Sequence, residues 1–214
     1  RLEELRRRGA HQPLVIIDAA SPVPGYATVG PDASKGMATA VEHLLSTHHH
    51  QGVALVIGDE VEPNTDGREA GWKLAHTGQG RALGQVARTS FTRDGGYRAG
   101  LELLGTADRP TAVVTSSDLQ AIGLMRAADD LGLRVPEDVA VVSFDGTEET
   151  RFSSPPLTTA RQPVAMMATA AIEGVVQHGN ASHQSYPMDL IIRRSCGCHP
   201  GLPRPDSHLS PPAR

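Results

Sequence analysis

The chain has few aromatic residues: Phe, Trp and Tyr together make up 3% of its 214 residues. A core with so few large rings must be aliphatic, built from Val, Leu, Ile, Ala and Met. Cysteine is scarce too, with only Cys196 and Cys198, which excludes a disulfide-stapled scaffold and fits a reducing cytoplasm. No apolar run approaches the roughly 20 residues that a membrane-spanning helix needs. Positive charge is also lacking. A net charge of -4 excludes the clustered Lys and Arg by which a chain grips phosphate on its own. The opening Arg1–Arg8 is charged and has no apolar h-region, so it does not read as a signal peptide. It lacks an initial Met, which gives the expectation of a fragment.

What is present is an ordinary globular balance, 39% hydrophobic and 21% charged, enough for one large α/β domain or two small lobes. Apolar runs at Leu14–Ile17, Val53–Ile57, Ala112–Val114 and Val139–Phe144 are short and do not alternate. Strands buried on both faces of a parallel sheet read this way. A weaker strand is expected at Val86–Ser90. Between the runs lie helical periods: Met37, Val41, Leu44 and Leu45 over 34–47, and Ala121, Leu124, Met125 and Ala128 over 118–131. A further helix is expected over 163–178, with Pro163 at its first position and Gly179 after its end. Another begins near Asn64 or Thr65 and carries Arg68 and Trp72, and a shorter one carries Tyr97, Leu101 and Leu104. This alternation predicts a doubly wound α/β fold. The proline-rich stretch from Pro200 to Arg214 reads as disordered.

Ligands of open parallel sheets sit beyond the carboxyl ends of the strands. Asp18, Arg68, Phe91, Tyr97, Ser116, Ser117, Asp118 and Asp145 follow the expected strands, and they suit a neutral polyhydroxylated ligand. Carboxylates accept from hydroxyls, a guanidinium donates in fixed geometry, and a ring covers the C–H face of a sugar. Each residue also has a plainer reading. Asp118 reads at least equally well as a helix N-cap, Arg68 as a surface cation beside Glu69, and Asp145 as a turn former before Gly146. Tyr97 and Trp72 read as core, and Asp18 as the cap of a turn before Pro22. Only the shared sheet edge unites them. His48-His49-His50 reads as a solvated loop, because adjacent residues do not converge on one ion. Cys196-Gly-Cys198 is at most a two-ligand hint, so no metal and no cofactor are expected.

Several segments resemble the LacI/GalR family of bacterial regulators. They are Val29-Gly-Pro-Asp-Ala-Ser-Lys-Gly36, Arg68-Glu-Ala-Gly-Trp72, Phe91-Thr-Arg-Asp-Gly-Gly-Tyr97 and Pro110-Thr-Ala-Val-Val-Thr-Ser-Ser-Asp118. Gly132-Leu-Arg-Val-Pro-Glu-Asp-Val-Ala-Val-Val-Ser-Phe-Asp145, Pro155-Pro-Leu-Thr-Thr-Ala-Arg-Gln-Pro163 and Leu190-Ile-Ile-Arg-Arg-Ser-Cys196 continue the match, which runs in order over residues 3–198. The resemblance implies a type I periplasmic-binding-protein-like fold of two doubly wound parallel-sheet lobes, the first incomplete here. It divides the chain into 1–29 (end of the first lobe), 30–160 (second lobe), 161–180 (return helix of the first lobe), 181–199 (closing strand) and the tail 200–214. The first lobe would keep one strand and the helix 163–178, with the rest lying upstream.

The resemblance further implies a cytoplasmic, non-enzymatic homodimer that binds a small sugar-like effector and reaches operator DNA only through an N-terminal helix-turn-helix head. By position, Arg68 resembles the arginine that grips the effector, Asp145 the aspartate facing the cleft, and Asp18 the carboxylate of the other lobe. Tyr97 or Phe91 resembles the aromatic wall, and Asp32 is a weaker candidate. Ser117 stands where many members carry an effector-contacting Asn, and Gly146 replaces a usual second acid; both departures put the effector's chemistry in doubt. The alternatives are a periplasmic-type sugar receptor of a transporter, or a glycosidase using Asp118 and Asp145.

Overall fold

The computed structural model describes residues 14–19, 22–59, 66–176 and 182–199. The expected Asn64 or Thr65 helix start, Gly179, the opening Arg1–Arg8 and the tail from Pro200 lie outside these residues. Two sheets organise the chain. The smaller contains β1 (Val15–Ile17), β2 (Ala27–Pro31) and β8 (His183–Tyr186), all parallel, in that spatial order. The larger contains β3 (Ala54–Gly58), β4 (Val86–Thr89), β5 (Ala112–Thr115), β6 (Ala140–Asp145), β7 (Thr158–Arg161) and β9 (Asp189–Ile191), in the order β4-β3-β5-β6-β7-β9. All its pairs are parallel except β7 with β9.

The larger sheet is covered on both faces, which is why its strands read as unbroken apolar runs. Leu55, Ile57, Val114, Val142 and Phe144 pack against α1 (Ala33–Glu42) and α2 (Gly67–Gly78) through Met37, Val41 and Trp72. Val56, Val113 and Val141, pointing the other way, pack against α3 (Arg93–Leu104) and α4 (Asp118–Asp130) through Leu103, Leu124 and Met125. Trp72 is core, as its periodicity suggested, and its indole N–H donates to the Val53 carbonyl at 2.7 Å. The smaller sheet carries α5 (Val164–Val176), whose Met167, Ala170 and Ala171 bury against Val29.

The smaller sheet corrects an expectation: it holds three strands, where one was expected. β2 is broken by Gly30 and Pro31, and β8 reads His-Gln-Ser-Tyr, so neither shows an apolar run. The expected closing strand over 181–199 is two strands, β8 in the smaller sheet and β9 in the larger. The chain therefore crosses between the sheets three times, after β2, after β7 and after β8. On the outer face of the smaller sheet, Ile17, Ile172 and Val176 are left exposed.

Helices α3 and α4 touch backbone to backbone through small residues. A Cβ added at Gly123 would lie 1.9 Å from the Arg93 carbonyl oxygen, and one at Gly96 would lie 2.0 Å from that of Gln120. Separating the helices opens the core beneath them. We expect Gly123→Ala to destabilise the protein by about 1–3 kcal/mol, as overpacking does, lowering the thermal midpoint by roughly 2–12 °C.

Candidate ligand-binding site

Arg68 sits in the first turn of α2 because Asp66 caps that helix, accepting from the Arg68 backbone N–H at 2.7 Å. The same carboxylate takes Arg68 Nε–H at 3.0 and 3.1 Å and Nη2–H at 2.5 Å. Nη1 donates to the Ser116 carbonyl at 2.9 Å. The guanidinium carbon lies 4.9 Å from the Phe91 ring centroid and 5.6 Å from that of Phe144, within reach of both rings for cation–π attraction. With five N–H groups on a guanidinium, one on each terminal nitrogen stays available.

The carboxylates around it come from two sheets. Asp18 follows β1 and Asp145 ends β6, both with positive φ, 63° and 110°. Asp tolerates the left-handed region better than most residues, and such backbone clusters where function over-determines it. Asp18, Asp66, Arg68, Phe144, Asp145 and Gln162 line one cavity of about 120 Å³, with Pro31 and Ala33 closing it. Asp145 is oriented by Gln162, whose side-chain amide donates to Oδ1 at 2.9 Å while its backbone N–H donates to the Asp145 carbonyl. Burial, with the charge of Asp118 adding, pushes the Asp145 carboxyl up to about 6, against the opposing Gln162 bond and Arg68 charge. Burial likewise raises Asp18, with Arg68 opposing and Asp66 adding. The loop beyond Asp145 accepts only glycine: Gly146 has φ +79°, and a Cβ there would fall 2.5 Å from the Arg161 side chain.

Of the expected site residues, Asp18, Arg68 and Asp145 share the cavity, and the Phe91 ring lies beside the Arg68 guanidinium. Ser117 and Tyr97 are not brought to it. Ser117 caps α4, its Oγ accepting from the Gln120 N–H at 3.2 Å, and it is 6% exposed. Tyr97 donates to Asp130 at 3.0 Å across the α3–α4 pair. Asp32 caps α1, accepting from the Lys35 N–H. Asp66, Phe144 and Gln162 were missed, although Asp66 has the residue type and position of an N-cap.

Asp118 does not cap its helix. It is 1% exposed and accepts from Ser143 Oγ at 2.5 Å, Thr159 Oγ1 at 2.9 Å and the Thr147 N–H at 2.6 Å. It thereby ties β6, β7 and the loop after Asp145 together. Asp118→Ala leaves three donors unpaired, at ~1 kcal/mol or more each, so a loss of about 3–4 kcal/mol is expected on denaturant unfolding. A second polar cluster, His43, His48, Cys196 and Cys198, lies away from this cavity.

Two sheets joined by three crossings, with a polar cavity between them at the carboxyl ends of β1 and β6, define a domain of the periplasmic-binding-protein-like type. The chain belongs to the periplasmic binding protein-like domain family, in the form found in LacI-family regulators; the family's model matches residues 41–196. It is similar to the HTH-type transcriptional regulator MalR of Streptomyces coelicolor, 34% identical over 212 residues that cover 94% of this chain and 60% of that protein. It is also similar to the solved structure of a LacI family transcriptional regulator from Enterococcus faecium with bound ribose. That match has a TM-score of 0.80 at 26% identity and covers 90% of this chain and 73% of that one. A dimeric Lac repressor matches with a TM-score of 0.81 at 25% identity, covering 91% and 72% respectively. The chain spans about 60% of the length of the MalR relative.

Proposed function

We propose that this chain is the effector-sensing and pairing domain of a transcription regulator, that its effector is a small sugar-like molecule, and that it is not an enzyme. The effector bridges the two lobes: Asp18 accepts its hydroxyls from one side, while Arg68 and Asp145 hold it from the other. One observation carries this reading: carboxylates from two different sheets face a single arginine across one cavity. The cavity, about 120 Å³, is small beside the roughly 300–1,000 Å³ of small-molecule sites, so the lobes must part to admit a ligand and close again on it.

The effector shifts the balance between two lobe orientations by its differential affinity for them. In a cytoplasmic homodimer only one orientation sets the paired helix-turn-helix heads, supplied by sequence outside this chain, on two operator half-sites. The exposed strip at Ile17, Ile172 and Val176 is the face on which we place the remainder of the first lobe. Asp118, whose carboxylate is spent on three internal donors, is not free to act as half of a glycosidase pair, which supports a binding role over a catalytic one.

The experiment is a thermal-shift screen of the full chain against aldoses, disaccharides and nucleobases. A true effector present at about 100 times its Kd stabilises by ~2.7 kcal/mol, and Arg68→Ala abolishes the shift. If no hydroxylated compound shifts the wild type, or the best one shifts Arg68→Ala equally, this assignment of the cavity fails.

A further inference from the structure

We propose that His43, His48, Cys196 and Cys198 form a structural zinc site that fastens the closing segment of the chain to the amino-terminal end of the larger sheet. The four ligand atoms lie within 4.8 Å of one another. His43 Nε2 lies 3.3 Å from His48 Nε2, and Cys198 Sγ lies 3.3 Å from His48 Nε2 and 3.5 Å from His43 Nε2. Tetrahedral zinc with its usual bond lengths requires about 3.3 Å between two imidazole nitrogens and about 3.5 Å between nitrogen and sulfur. His43, His48 and Cys198 already outline one face of that tetrahedron, and the Cys196 sulfur lies within 4.8 Å of all three. Two thiolates and two imidazoles complete a zinc coordination sphere and leave no open position, the mark of a structural site rather than a catalytic one.

The local backbone is built to converge these groups. Residues five apart on an α-helix point about 140° away from each other. After α1 the chain instead enters a π turn over His43–Thr47, whose wider i→i+5 closure lays His48 over His43. On the other side, Gly197 has φ +98° and passes so close to the His48 ring that a Cβ there would lie 3.2 Å from it. The segment carrying the cysteines is itself fixed, since the Ser195 carbonyl accepts from the Val141 N–H and its hydroxyl donates to the Val141 carbonyl. A supporting shell is present as well: Thr158 Oγ1 donates to Cys196 Sγ at 3.2 Å and accepts from the Arg193 N–H at 2.8 Å. Such outer partners orient and tune metal ligands.

When zinc enters, both thiols release their protons to solvent. The neighbouring histidines take other roles. His50 Nδ1 lies 2.9 Å from Thr111 Oγ1, and His49 sits at positive φ in the turn. The expectation of a solvated histidine loop therefore does not describe His48, and the two-ligand cysteine pair has its missing partners in a segment distant in sequence.

The test uses the reduced full chain, stripped of metal with a chelator and returned to zinc or cobalt(II). The site predicts one equivalent of zinc per chain, and with cobalt it predicts intense visible bands of a tetrahedral centre beside thiolate charge-transfer absorption. Cys198→Ser and, separately, His48→Gln lower zinc affinity at least a hundredfold, Thr158→Val lowers it roughly tenfold, and His50→Gln and Arg68→Ala leave it unchanged. Zinc raises the thermal midpoint of the wild type but not of Cys198→Ser. No uptake from equimolar zinc, or uptake unchanged in both ligand variants, overturns the proposal. Because Arg68→Ala leaves zinc binding intact, failure here is separable from failure of the effector site.

Discussion

Replacing Arg68 by Ala is expected to weaken effector binding by a hundredfold or more. The guanidinium keeps one N–H on each terminal nitrogen for a ligand, and each hydrogen bond from a charged donor contributes ~1.5–3 kcal/mol. Losing two costs about 3–5 kcal/mol, and each 1.4 kcal/mol is tenfold in Kd. A second consequence falls on the free protein. Asp66, whose side chain is 7% exposed, holds Arg68 as its ion-pair partner, and a nearly buried charge left without its partner is strongly destabilising. Arg68→Lys separates the two consequences: it keeps a cation near Asp66 but lacks the planar fork that lies near Phe91 and Phe144. Calorimetric titration should therefore place Lys well below wild type in affinity, while denaturant unfolding places it closer to wild type than Ala. Wild-type affinity in both variants would remove Arg68 from the site.

Asp145→Asn is the second large effect, and its sign depends on pH. Burial pushes the carboxyl up to about 6 in the folded protein, from the ordinary aspartate range near 3.8. A carboxylate raised in this way favours folding while protonated and loses that advantage as pH rises through the folded value. The penalty is absent below about pH 4 and complete above about pH 6. At ~1.4 kcal/mol per pH unit, that interval amounts to about 3 kcal/mol at most. Asn keeps the shape and can still accept from Gln162, so at pH 8 the variant should unfold roughly 6–12 °C higher than wild type, with the gain gone at pH 4. Binding runs the opposite way, because ligand hydroxyls donate best to the ionised carboxylate. Wild-type affinity should be about tenfold weaker at pH 5 than at pH 8, with a shallower slope in Asp145→Asn. Asp18, raised in the same direction, supplies the slope that remains. Equal slopes in the two proteins would mean that Asp145 does not touch the effector.

The same acid shows why function and stability pull apart in this molecule. A carboxylate placed where burial resists its charge destabilises the free fold, and its ionised form gains most when a ligand supplies donors. The positive φ of Asp18 and Asp145 belongs to the same pattern, in which local cost is concentrated where a ligand is expected to offset it.

The larger sheet was readable from sequence because burial on both faces leaves continuous runs such as Val53–Ile57. The smaller sheet was not. β8 contains His183, Gln184 and Ser185, and polar strands of this kind show no periodic signal to separate them from a loop. Asp18 and Asp145 were found because each directly follows an apolar run, and Arg68 because it opens the helix that follows the run Val53–Ile57. Gln162 was overlooked because it acts on Asp145 from the adjacent strand's exit, a relation that appears only once β6 and β7 pair. Phe144 was taken as core, and it is core; that its ring also flanks Arg68 is a tertiary fact. Ser117 shows the reverse, since a residue in the right place by order can be consumed by its own helix end. The four histidine and cysteine ligands divide between two short segments near opposite ends of the described chain, and only the folded sheet brings them to one place.

The most direct measurement of the central idea is a crystal structure of the full chain with the effector recovered from the screen. A single molecule is expected between the sheets, with hydroxyls on Asp18 and on Asp145 at once and the Arg68 fork directed at it. An effector held by one sheet alone, or seated anywhere that leaves Arg68 paired only with Asp66 and open to solvent, contradicts it.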